Sequence, residues 1–320
     1  MNADEFIRLS IFTDELPIAT IVITDPRTQG QKTMRRFEYN DPQTIPEAIA
    51  LMARLEGAKS LFAGGTDLLV EIREHIRRPA HLIDLKKIAG LDGLAFDAES
   101  GLRCGALVTV RRIETSPIVR QHYRGLMSAA RELGSIQVRN RATLGGNVCR
   151  ASPSADTLPP LVADGARATL EGAEGRRNVA LEDFFTGPGR TLLQSDEILV
   201  EFQIPAPLPH TGKSYLKHGR RKAMELATVG VAVTLSLHEG RVSHARIVLG
   251  AVAPTPLRAL RAEALLMGEK PNDAVFAAAA QAALEESRPI TDVRASADYR
   301  RRMVGVLTHR ALTQALEAVQ

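Results

Sequence analysis

The sequence predicts an α+β protein with an α/β N-terminal part and a C-terminal part of antiparallel strands and helices. Helical and strand-like segments alternate around a double glycine at 64–65, as in a βαβ unit. Three prolines within 205–209 mark a linker, because so many prolines resist both helix and strand. Beyond it, two strand-like segments are joined through 238–240 as a hairpin, and helical patterns follow.

The N-terminal elements follow from capping residues and periodicity. Thr44-Ile45-Pro46-Glu47 has capping-box spacing with a proline just inside the start, which predicts a helix over about 44–56. The apolar run 60–63 predicts a strand that stops at the glycine loop 64–67, and residues 81–85 predict the next strand. A helix should separate the loop from that strand. Its expected apolar face consists of Leu68, Leu69, Ile72 and Ile76.

The middle of the chain predicts a strand, two helices and several short strands. The first strand is expected over 102–110, and a helix that begins at Ser116-Pro117 should run to about Leu133. A further helix is expected around 155–163. The short strands after it end with the alternating segment 197–202.

The C-terminal part predicts a hairpin followed by helices. Residues 227–237 and 245–252 form the two expected strands, and the pattern is helical from Thr255 onward. We expect no polar cluster within this part. The last helix is expected to present an apolar stripe of Tyr299, Met303, Val306, Leu307, Leu312 and Leu316.

The cysteine content limits the metal chemistry of the chain. The 320 residues include two cysteines, Cys104 and Cys149, and neither lies in a CxxC or Cys/His grouping. An iron–sulfur cluster or a zinc finger requires about four Cys or His ligands. The chain therefore cannot supply a cluster or a zinc finger, and its eight histidines are dispersed without a metal-ligand spacing, so we expect no metal site. Redox chemistry would have to use another cofactor.

Charge and hydropathy argue against two classes of partner. The net charge is +4 from 41 basic and 37 acidic residues, the bases are scattered, and aromatic residues make up only 4%, so nucleic-acid binding is not indicated. No apolar run approaches the ~18–20 residues of a membrane span, and the first ten residues carry acids where a secretory signal is basic. We expect a cytoplasmic protein with reduced thiols.

Two double-glycine loops are the main chemical signal in the sequence. They are residues 62–67, FAGGTD, and residues 143–147, TLGGN. Paired glycines let backbone N–H groups approach an anion closely, and the flanking Thr and Asn add side-chain donors. A pyrophosphate needs such a cradle, although a double glycine also occurs in simple tight turns. Neither loop has the spacing of a Rossmann or Walker fingerprint.

Three other residues have both a structural and a functional interpretation. Asp156 lies at the start of a predicted helix, where the sequence favours a helix cap over an acceptor for ribose hydroxyls. Lys217 is expected to be a solvated strand residue, and Cys149 a small apolar residue rather than a nucleophile. No hydrolase motif is present, so acyl transfer and metal-dependent hydrolysis have no candidate residues, and the sequence assigns no catalytic residue.

Four motifs, in order, resemble the FAD-binding subunit of the molybdenum hydroxylase (xanthine dehydrogenase) family, in the form found in the carbon monoxide dehydrogenase medium subunit. They are AGGTDL at 63–68, IQVRNRATLGGNVCRASPSAD at 136–156, SDEILVEFQIP at 195–205 and SYLKHGRRKAMELATVGVAV at 214–233. The resemblance covers about 36–318. Four ordered motifs over that length make it specific.

The resemblance implies a domain arrangement. Residues 36–209 would form an FAD-binding domain of the vanillyl-alcohol-oxidase (PCMH) type in two α/β subdomains. Residues 210–320 would form a C-terminal α+β domain of the carbon monoxide dehydrogenase flavoprotein kind, with an antiparallel sheet plus helices. Residues 1–35 precede the resemblance, and their composition indicates an N-terminal extension that is either flexible or laid on a partner surface; we expect them to contact a partner subunit.

The resemblance also implies a set of cofactor-binding residues. The two glycine loops would hold the FAD pyrophosphate, Asp156 would contact the cofactor, and Leu133, Leu199 and Lys217 would lie near the flavin. The full set is Leu61, Phe62, Ala63, Gly64, Gly65, Thr66, Asp67, Leu68, Leu133, Thr143, Leu144, Gly145, Gly146, Asn147, Asp156, Leu199 and Lys217.

The function implied by the resemblance is electron transfer within a heteromeric complex. Electrons would leave a molybdopterin centre on a large subunit, pass through iron–sulfur clusters on a small subunit to FAD on this chain, and reach NAD, oxygen or another acceptor. The expected assembly is a dimer of heterotrimers. One alternative is a self-sufficient FAD-dependent oxidoreductase, and another is a structural subunit that has lost its cofactor.

Overall fold

The computed structural model describes residues 36–319, and the expected N-terminal extension lies outside them. The chain forms two compact units, divided between Ala89 and Gly90. Among the residues described, no helix has both the length and the hydropathy to cross a membrane.

The described part of the first unit is a three-stranded parallel sheet with two helices. Its elements are β1 (Glu38–Asn40), α1 (Ile45–Arg54), β2 (Lys59–Phe62), α2 (Leu68–Arg73) and β3 (His81–Asp84), followed by a 3-10 turn at Leu85–Lys87. β3 lies in the centre and pairs in parallel with both β1 and β2. The predicted βαβ unit, with its glycine loop after the first strand, is confirmed.

Helix α1 begins as the sequence predicts, whereas α2 ends early. The Thr44 hydroxyl accepts a hydrogen bond from the Glu47 amide at 3.2 Å. α2 ends at Arg73, and His75 adopts a positive φ of 59°. Ile72 is buried, but the side chain of Ile76 is 72% exposed because it lies beyond the helix. Leu68 is half-buried and Leu69 is exposed, so of the four residues expected on the apolar face only Ile72 is buried.

The second unit contains a five-stranded and a four-stranded antiparallel sheet. The strands are β4 (Leu94–Asp97), β5 (Gly101–Gly105), β6 (Arg167–Gly172), β7 (Gly175–Ala180), β8 (Phe185–Gly187), β9 (Arg190–Thr191), β10 (Ile198–Ile204), β11 (Thr211–His218), β12 (Val229–His238), β13 (Arg241–Gly250) and β14 (Leu257–Arg258). The sheet orders are β4-β5-β10-β6-β7 and β11-β12-β13-β14, and β8 pairs with β9. The β12–β13 hairpin confirms the predicted one.

The helices of this unit pack on both sheets. They are α3 (Val110–Thr115), α4 (Pro117–His122), α5 (Arg124–Glu132), α6 (Ile136–Arg139), α7 (Leu144–Arg150), α8 (Leu158–Ala163), α9 (Leu181–Phe184), α10 (Leu260–Leu266), α11 (Asp273–Glu286) and α12 (Ala297–Glu317). The combination of these helices with the antiparallel sheets confirms the α+β class.

Both faces of the four-stranded sheet are covered by hydrophobic cores. One of these cores joins residues from both sides of the proline linker. Successive side chains of a strand point to opposite faces. Accordingly, Ala232 of β12 belongs to the core around the five-stranded sheet. Its neighbours Val231 and Val233 belong to a second core, shared with α10, α11 and α12. Tyr215 of β11 lies in the first core as well.

Three predicted elements of this unit are wrong in extent. The strand expected over 102–110 ends at Gly105, because the following residues turn and Thr109 caps α3. The single helix expected up to Leu133 is two helices, broken at Tyr123. At this break the buried Tyr123 hydroxyl donates toward the carbonyl oxygens of Ile204, the last residue of β10, and Pro205, at 3.1 and 2.9 Å. The helix expected from residue 155 begins at Leu158.

The last helix differs from the expected stripe because it buries a polar residue. Tyr299 and Val306 are exposed. Arg300 is instead only 2% exposed. Its guanidinium donates to the carbonyl oxygens of Thr228 and Ala251 and to the Asp292 carboxylate at 2.6 Å. The expectation that this part lacks a polar cluster is therefore wrong.

The close packing of β11 on α12 predicts a strong effect of one added methyl group. A Cβ at Gly212 would lie 1.8 Å from the carbonyl oxygen of Ala315, which is backbone and cannot rotate away. We expect Gly212→Ala to lower the free energy of unfolding by about 2–3 kcal/mol, the cost of overpacking a core. Urea denaturation followed by circular dichroism measures this change.

Gly187→Ala is the matched control for Gly212→Ala. A Cβ at Gly187 would meet no atom within 4 Å, and the residue does not have a positive φ. We expect its stability to equal or slightly exceed that of the parent protein. Equal stability of the two variants would contradict the packing argument.

Candidate functional site

The first glycine loop connects β2 to α2, and glycine is required at its centre. Gly65 has a φ of +74°, which other residues adopt only with strain. A Cβ at Gly65 would also lie 2.3 Å from the Phe62 ring. The ring therefore occupies the space beside the loop, and a glycine is the residue that fits there.

The backbone of this loop presents a row of free N–H groups. Among residues 36–319, no acceptor receives a hydrogen bond from the amides of residues 64–68. The loop carbonyls are used, since Gly65 and Asp67 accept from the first turn of α2 at 3.0 and 2.9 Å. Successive free amides at a turn form a concave site for an anion.

Lys86, which lies outside the four sequence motifs, contacts this loop. The ammonium of Lys86 lies 3.6 Å from the centre of the Phe62 ring and 3.5 Å from the carbonyl oxygen of Ala63. It also lies 2.8 Å from the Asp84 carboxylate. The Asp84-Leu85-Lys86 turn after β3 could have indicated this residue, because parallel strands end at the same edge of a sheet.

The second glycine loop has a different construction. Thr143 caps α7, and its hydroxyl accepts from the Gly146 amide at 3.1 Å. The amides of Leu144, Gly145 and Asn147 donate to carbonyl oxygens at 2.8–3.0 Å. A Cβ at Gly145 would lie 2.7 Å from the carbonyl oxygen of Ala106. These glycines permit close packing, and the open amide cradle expected here is absent.

Side chains of the second loop nevertheless remain available. The side-chain oxygen of Asn147, Oδ1, accepts a hydrogen bond from the Thr157 hydroxyl at 2.6 Å, so the side-chain nitrogen, Nδ2, points elsewhere. Within the described part of the chain, no acceptor bonds to that nitrogen. The Thr143 hydroxyl accepts one bond and retains its proton for donation. The loop can therefore offer two side-chain donors.

Asp156 and Lys217 lie together in the core of the second unit. The Lys217 ammonium is 2.8 Å from the Asp156 carboxylate, and both side chains are about 5% exposed. The Tyr215 hydroxyl donates to the other carboxylate oxygen at 2.8 Å. The helix-cap interpretation of Asp156 and the solvated interpretation of Lys217 are therefore both wrong.

All protons of the Lys217 ammonium have acceptors. Besides Asp156, they meet the carbonyl oxygens of Glu132 and Glu225 at 3.1 and 2.7 Å. Burial raises the pKa of Asp156, and the positive charge of Lys217 opposes this effect. Burial and the neighbouring carboxylate also raise the pKa of Tyr215 well above its ordinary value.

Leu133 and Leu199, the other two predicted site residues outside the glycine loops, are apolar. Leu133 follows α5 and is partly buried against the core. Leu199 of β10 is 4% exposed and belongs to the same core. Burial raises the pKa of the Cys104 and Cys149 thiols to about 12, so neither is a reactive thiolate near neutral pH.

Two family models account for most of the chain. The model for the FAD-binding domain in molybdopterin dehydrogenase matches residues 35–207. The chain belongs to this flavoprotein family. The model for the CO dehydrogenase flavoprotein C-terminal domain matches residues 214–315, which is the second component expected of a medium subunit in this family.

Relatives in this family match the chain over most of its length. It is 38% identical over 280 residues to the carbon monoxide dehydrogenase medium chain of Hydrogenophaga pseudoflava, covering 88% of this chain and 97% of that protein. It is 34% identical over 281 residues to the xanthine dehydrogenase FAD-binding subunit of Escherichia coli O157:H7, covering 88% and 96%.

Solved structures confirm the fold. The carbon monoxide dehydrogenase from H. pseudoflava that lacks the Mo-pyranopterin moiety of its cofactor gives a TM-score of 0.86 at 38% identity, with 90% of this chain and 100% of that chain covered. Quinoline 2-oxidoreductase from Pseudomonas putida 86 gives 0.83 at 31% identity, covering 89% and 99%.

FAD, the cofactor of this family, fits the first loop on chemical grounds. A diphosphate needs several donors and close approach of the backbone, and the loop supplies free amides beside a glycine at which any side chain would be strained and would press on the Phe62 ring. No group of three or more His, Cys, Asp or Glu side chains that could hold a metal occurs within residues 36–319.

The buried ion pair predicts a pH-dependent loss of stability. Lys217→Met would leave the Asp156 carboxylate buried without its cation, which costs about 3–5 kcal/mol. The pKa of Asp156 would then rise further, and protonation would relieve the penalty. We therefore expect a smaller loss at about pH 5 than at about pH 8, because the folded variant binds a proton that the unfolded chain releases.

Thermal or urea unfolding at both pH values measures this effect. Lys222→Met is the matched control, because Lys222 is exposed in the same segment of the chain. It should change stability by less than about 0.5 kcal/mol. A Lys217→Met loss that is small, or equal at the two pH values, would refute the buried-charge explanation.

Proposed function

We propose that this chain is the electron-transfer subunit of a heteromeric molybdenum hydroxylase. When bound, FAD would accept electrons that originate at a molybdopterin centre and arrive through iron–sulfur clusters of partner subunits, and would supply them to NAD, oxygen or another acceptor. The chain's own residues bind and orient the cofactor and need not act on the organic substrate.

The first glycine loop is the observation that carries the proposal. The amides of residues 64–66, which precede α2, donate no hydrogen bond within residues 36–319, and Gly65 among them has a positive φ. A subunit that had lost its cofactor would have no reason to keep a glycine at this φ with unpaired amides beside it. The loop therefore supports cofactor binding over a purely structural role.

The proposed FAD-binding residues have different roles. Amides of Gly64, Gly65 and Thr66 would bind the diphosphate. Side-chain donors of Thr143 and Asn147 would add polar contacts to the cofactor. The other proposed residues are Leu61, Phe62, Ala63, Asp67, Leu68, Leu133, Leu144, Gly145, Gly146, Asp156, Leu199 and Lys217.

Within this set, Asp156 and Lys217 would hold neighbouring segments of the site in place. Their charged groups are satisfied by each other and by neighbouring carbonyl groups. Lys217 holds Glu132, which directly precedes Leu133, and so supports the segment expected near the flavin. We propose that this pair maintains the shape of the site.

The proposed domains are an FAD-binding domain at 36–209 and a C-terminal domain at 210–320. The two family matches, 35–207 and 214–315, support a boundary near the proline linker. The compact units divide elsewhere, after Ala89, because the core around the five-stranded sheet includes residues from both sides of the linker.

The proposed partners are a large molybdopterin-binding subunit and a small iron–sulfur subunit, assembled as a dimer of heterotrimers. The relative from H. pseudoflava is a medium chain, a name that implies larger and smaller chains beside it. We propose a cytoplasmic location because Cys104 and Cys149 are both free thiols.

The organic substrate is not determined by this chain. The matched proteins are named for carbon monoxide, xanthine and quinoline, although they share this fold. An FAD subunit that serves such different reactions does not select the substrate. A self-sufficient flavin oxidoreductase is not favoured, because Cys149 is partly buried with a thiol pKa raised to about 12, and no other Cys or His adjoins a glycine loop.

FAD binding to the purified chain tests the proposed function. We expect the chain to retain FAD with a flavin absorption spectrum. Gly65→Ala should raise the Kd for FAD about tenfold or more, because a positive φ strains alanine and its Cβ would displace the Phe62 ring. Fluorescence titration of the apoprotein measures the Kd.

Gly57→Ala is the control for backbone strain alone. Gly57 has a φ of +80° in the same unit, but it lies outside the loop and its Cβ would make only an ordinary contact. We expect its Kd to match that of the parent chain. Failure of the parent chain to bind FAD would overturn the proposal, and equal Kd values for both variants would remove the loop from the site.

A further inference from the structure

The described part of the first unit places a fixed positive charge beside the first glycine loop. We propose that Lys86 binds the FAD diphosphate and neutralises part of its charge. This inference rests on the proposed function. It adds to the site a residue that lies outside the four motifs, 20 positions after Thr66 in the sequence.

The Lys86 ammonium is held against the loop by three contacts. Its nitrogen lies over the face of Phe62 at 3.6 Å, the ring that also occupies the space beside Gly65. It lies 3.5 Å from the carbonyl oxygen of Ala63, the residue before the free amides. The Asp84 carboxylate, at 2.8 Å, is the third contact.

Asp84 fixes the direction of the Lys86 side chain. The Asp84 side chain is 3% exposed, and it accepts a bond from the Lys86 amide at 3.0 Å as well as one from the Tyr39 hydroxyl. A carboxylate held in this way cannot follow a mobile lysine into solvent. The ammonium therefore stays at the loop. Because the Lys86 side chain is already ordered, FAD binding does not have to pay the entropy of ordering it.

The ammonium also retains capacity for a phosphate oxygen. A lysine has three N–H donors, and here one meets Asp84 and a second makes only a long contact with the Ala63 carbonyl. About one third of the side chain remains exposed. A phosphate held by the amides of residues 64–66 would lie within reach of the third donor.

Like Lys86, other bases of this unit have acidic partners, but their partners lie outside residues 62–67. Lys87 pairs with Asp41, Arg73 with Glu74, and Arg77 with Glu71. Backbone amides supply partial charges only, whereas a diphosphate carries about two negative charges at neutral pH. Among residues 36–89, Lys86 is thus the cation in direct contact with the loop.

A charge-removing variant with a neighbouring control tests the inference. We expect Lys86→Gln to raise the Kd for FAD about tenfold, the effect of losing a charge-assisted hydrogen bond that is partly exposed. The Kd should also depend less steeply on salt concentration, because one charged contact has gone. Fluorescence titration of apoprotein with FAD, repeated over a series of salt concentrations, measures both quantities.

Lys87→Gln removes the same charge one residue away. Lys87 is 57% exposed and pairs with Asp41 at the surface. We expect this variant to keep the Kd and the salt dependence of the parent chain. Lys86→Arg, which keeps the charge, should restore most of the affinity and the salt dependence.

The outcomes separate this inference from the proposed function. If the parent chain does not bind FAD, the proposed function fails. If the parent binds FAD but Lys86→Gln leaves the Kd unchanged, or weakens binding equally at every salt concentration, Lys86 has no electrostatic role. Equal effects of Lys86→Gln and Lys87→Gln would also overturn the inference, since they would reflect only the net charge of the protein.

Discussion

The buried ammonium of Lys217 is the constraint on which the middle of the second unit depends. It joins the end of α5, the segment before α8, and the loop between β11 and β12, through Glu132, Asp156 and Glu225. A buried charge is tolerated only where every donor has a partner. The three segments must therefore hold these positions together, and the Tyr215 hydroxyl completes the set of contacts.

The same constraint explains why residues far apart in the sequence belong to one core. β11 follows the proline linker, yet it carries both Tyr215 and Lys217 to an acid that precedes the linker by about 50 residues. Ala232 and Val248 extend that contact along the adjacent strands. The linker therefore lies between the two matched family models, whereas the core around the five-stranded sheet contains residues from both sides of it.

The two glycine loops show that one sequence pattern can serve two physical purposes. At Gly65 the glycine permits a positive φ and leaves the neighbouring amides free. At Gly145 it permits contact with the Ala106 backbone, and the amides around it are all paired. The pattern predicts close approach in both loops, because a missing Cβ is visible in the sequence. It does not reveal whether the approaching group is a ligand or the chain itself.

The sequence by itself determined the α+β class, the βαβ unit, the β12–β13 hairpin and the family, because these depend on local periodicity, turn residues and ordered motifs. It overextended the helix that breaks at Tyr123. It also missed the polar cluster of Arg300, because the carbonyl groups that bind this residue are distant in the chain. Only the tertiary structure decided that Asp156 and Lys217 neutralise each other and that Lys86 lies against the first loop. The physical reason is that the energy of a charged group is set by its burial and its partners, and neither is encoded in the neighbouring residues.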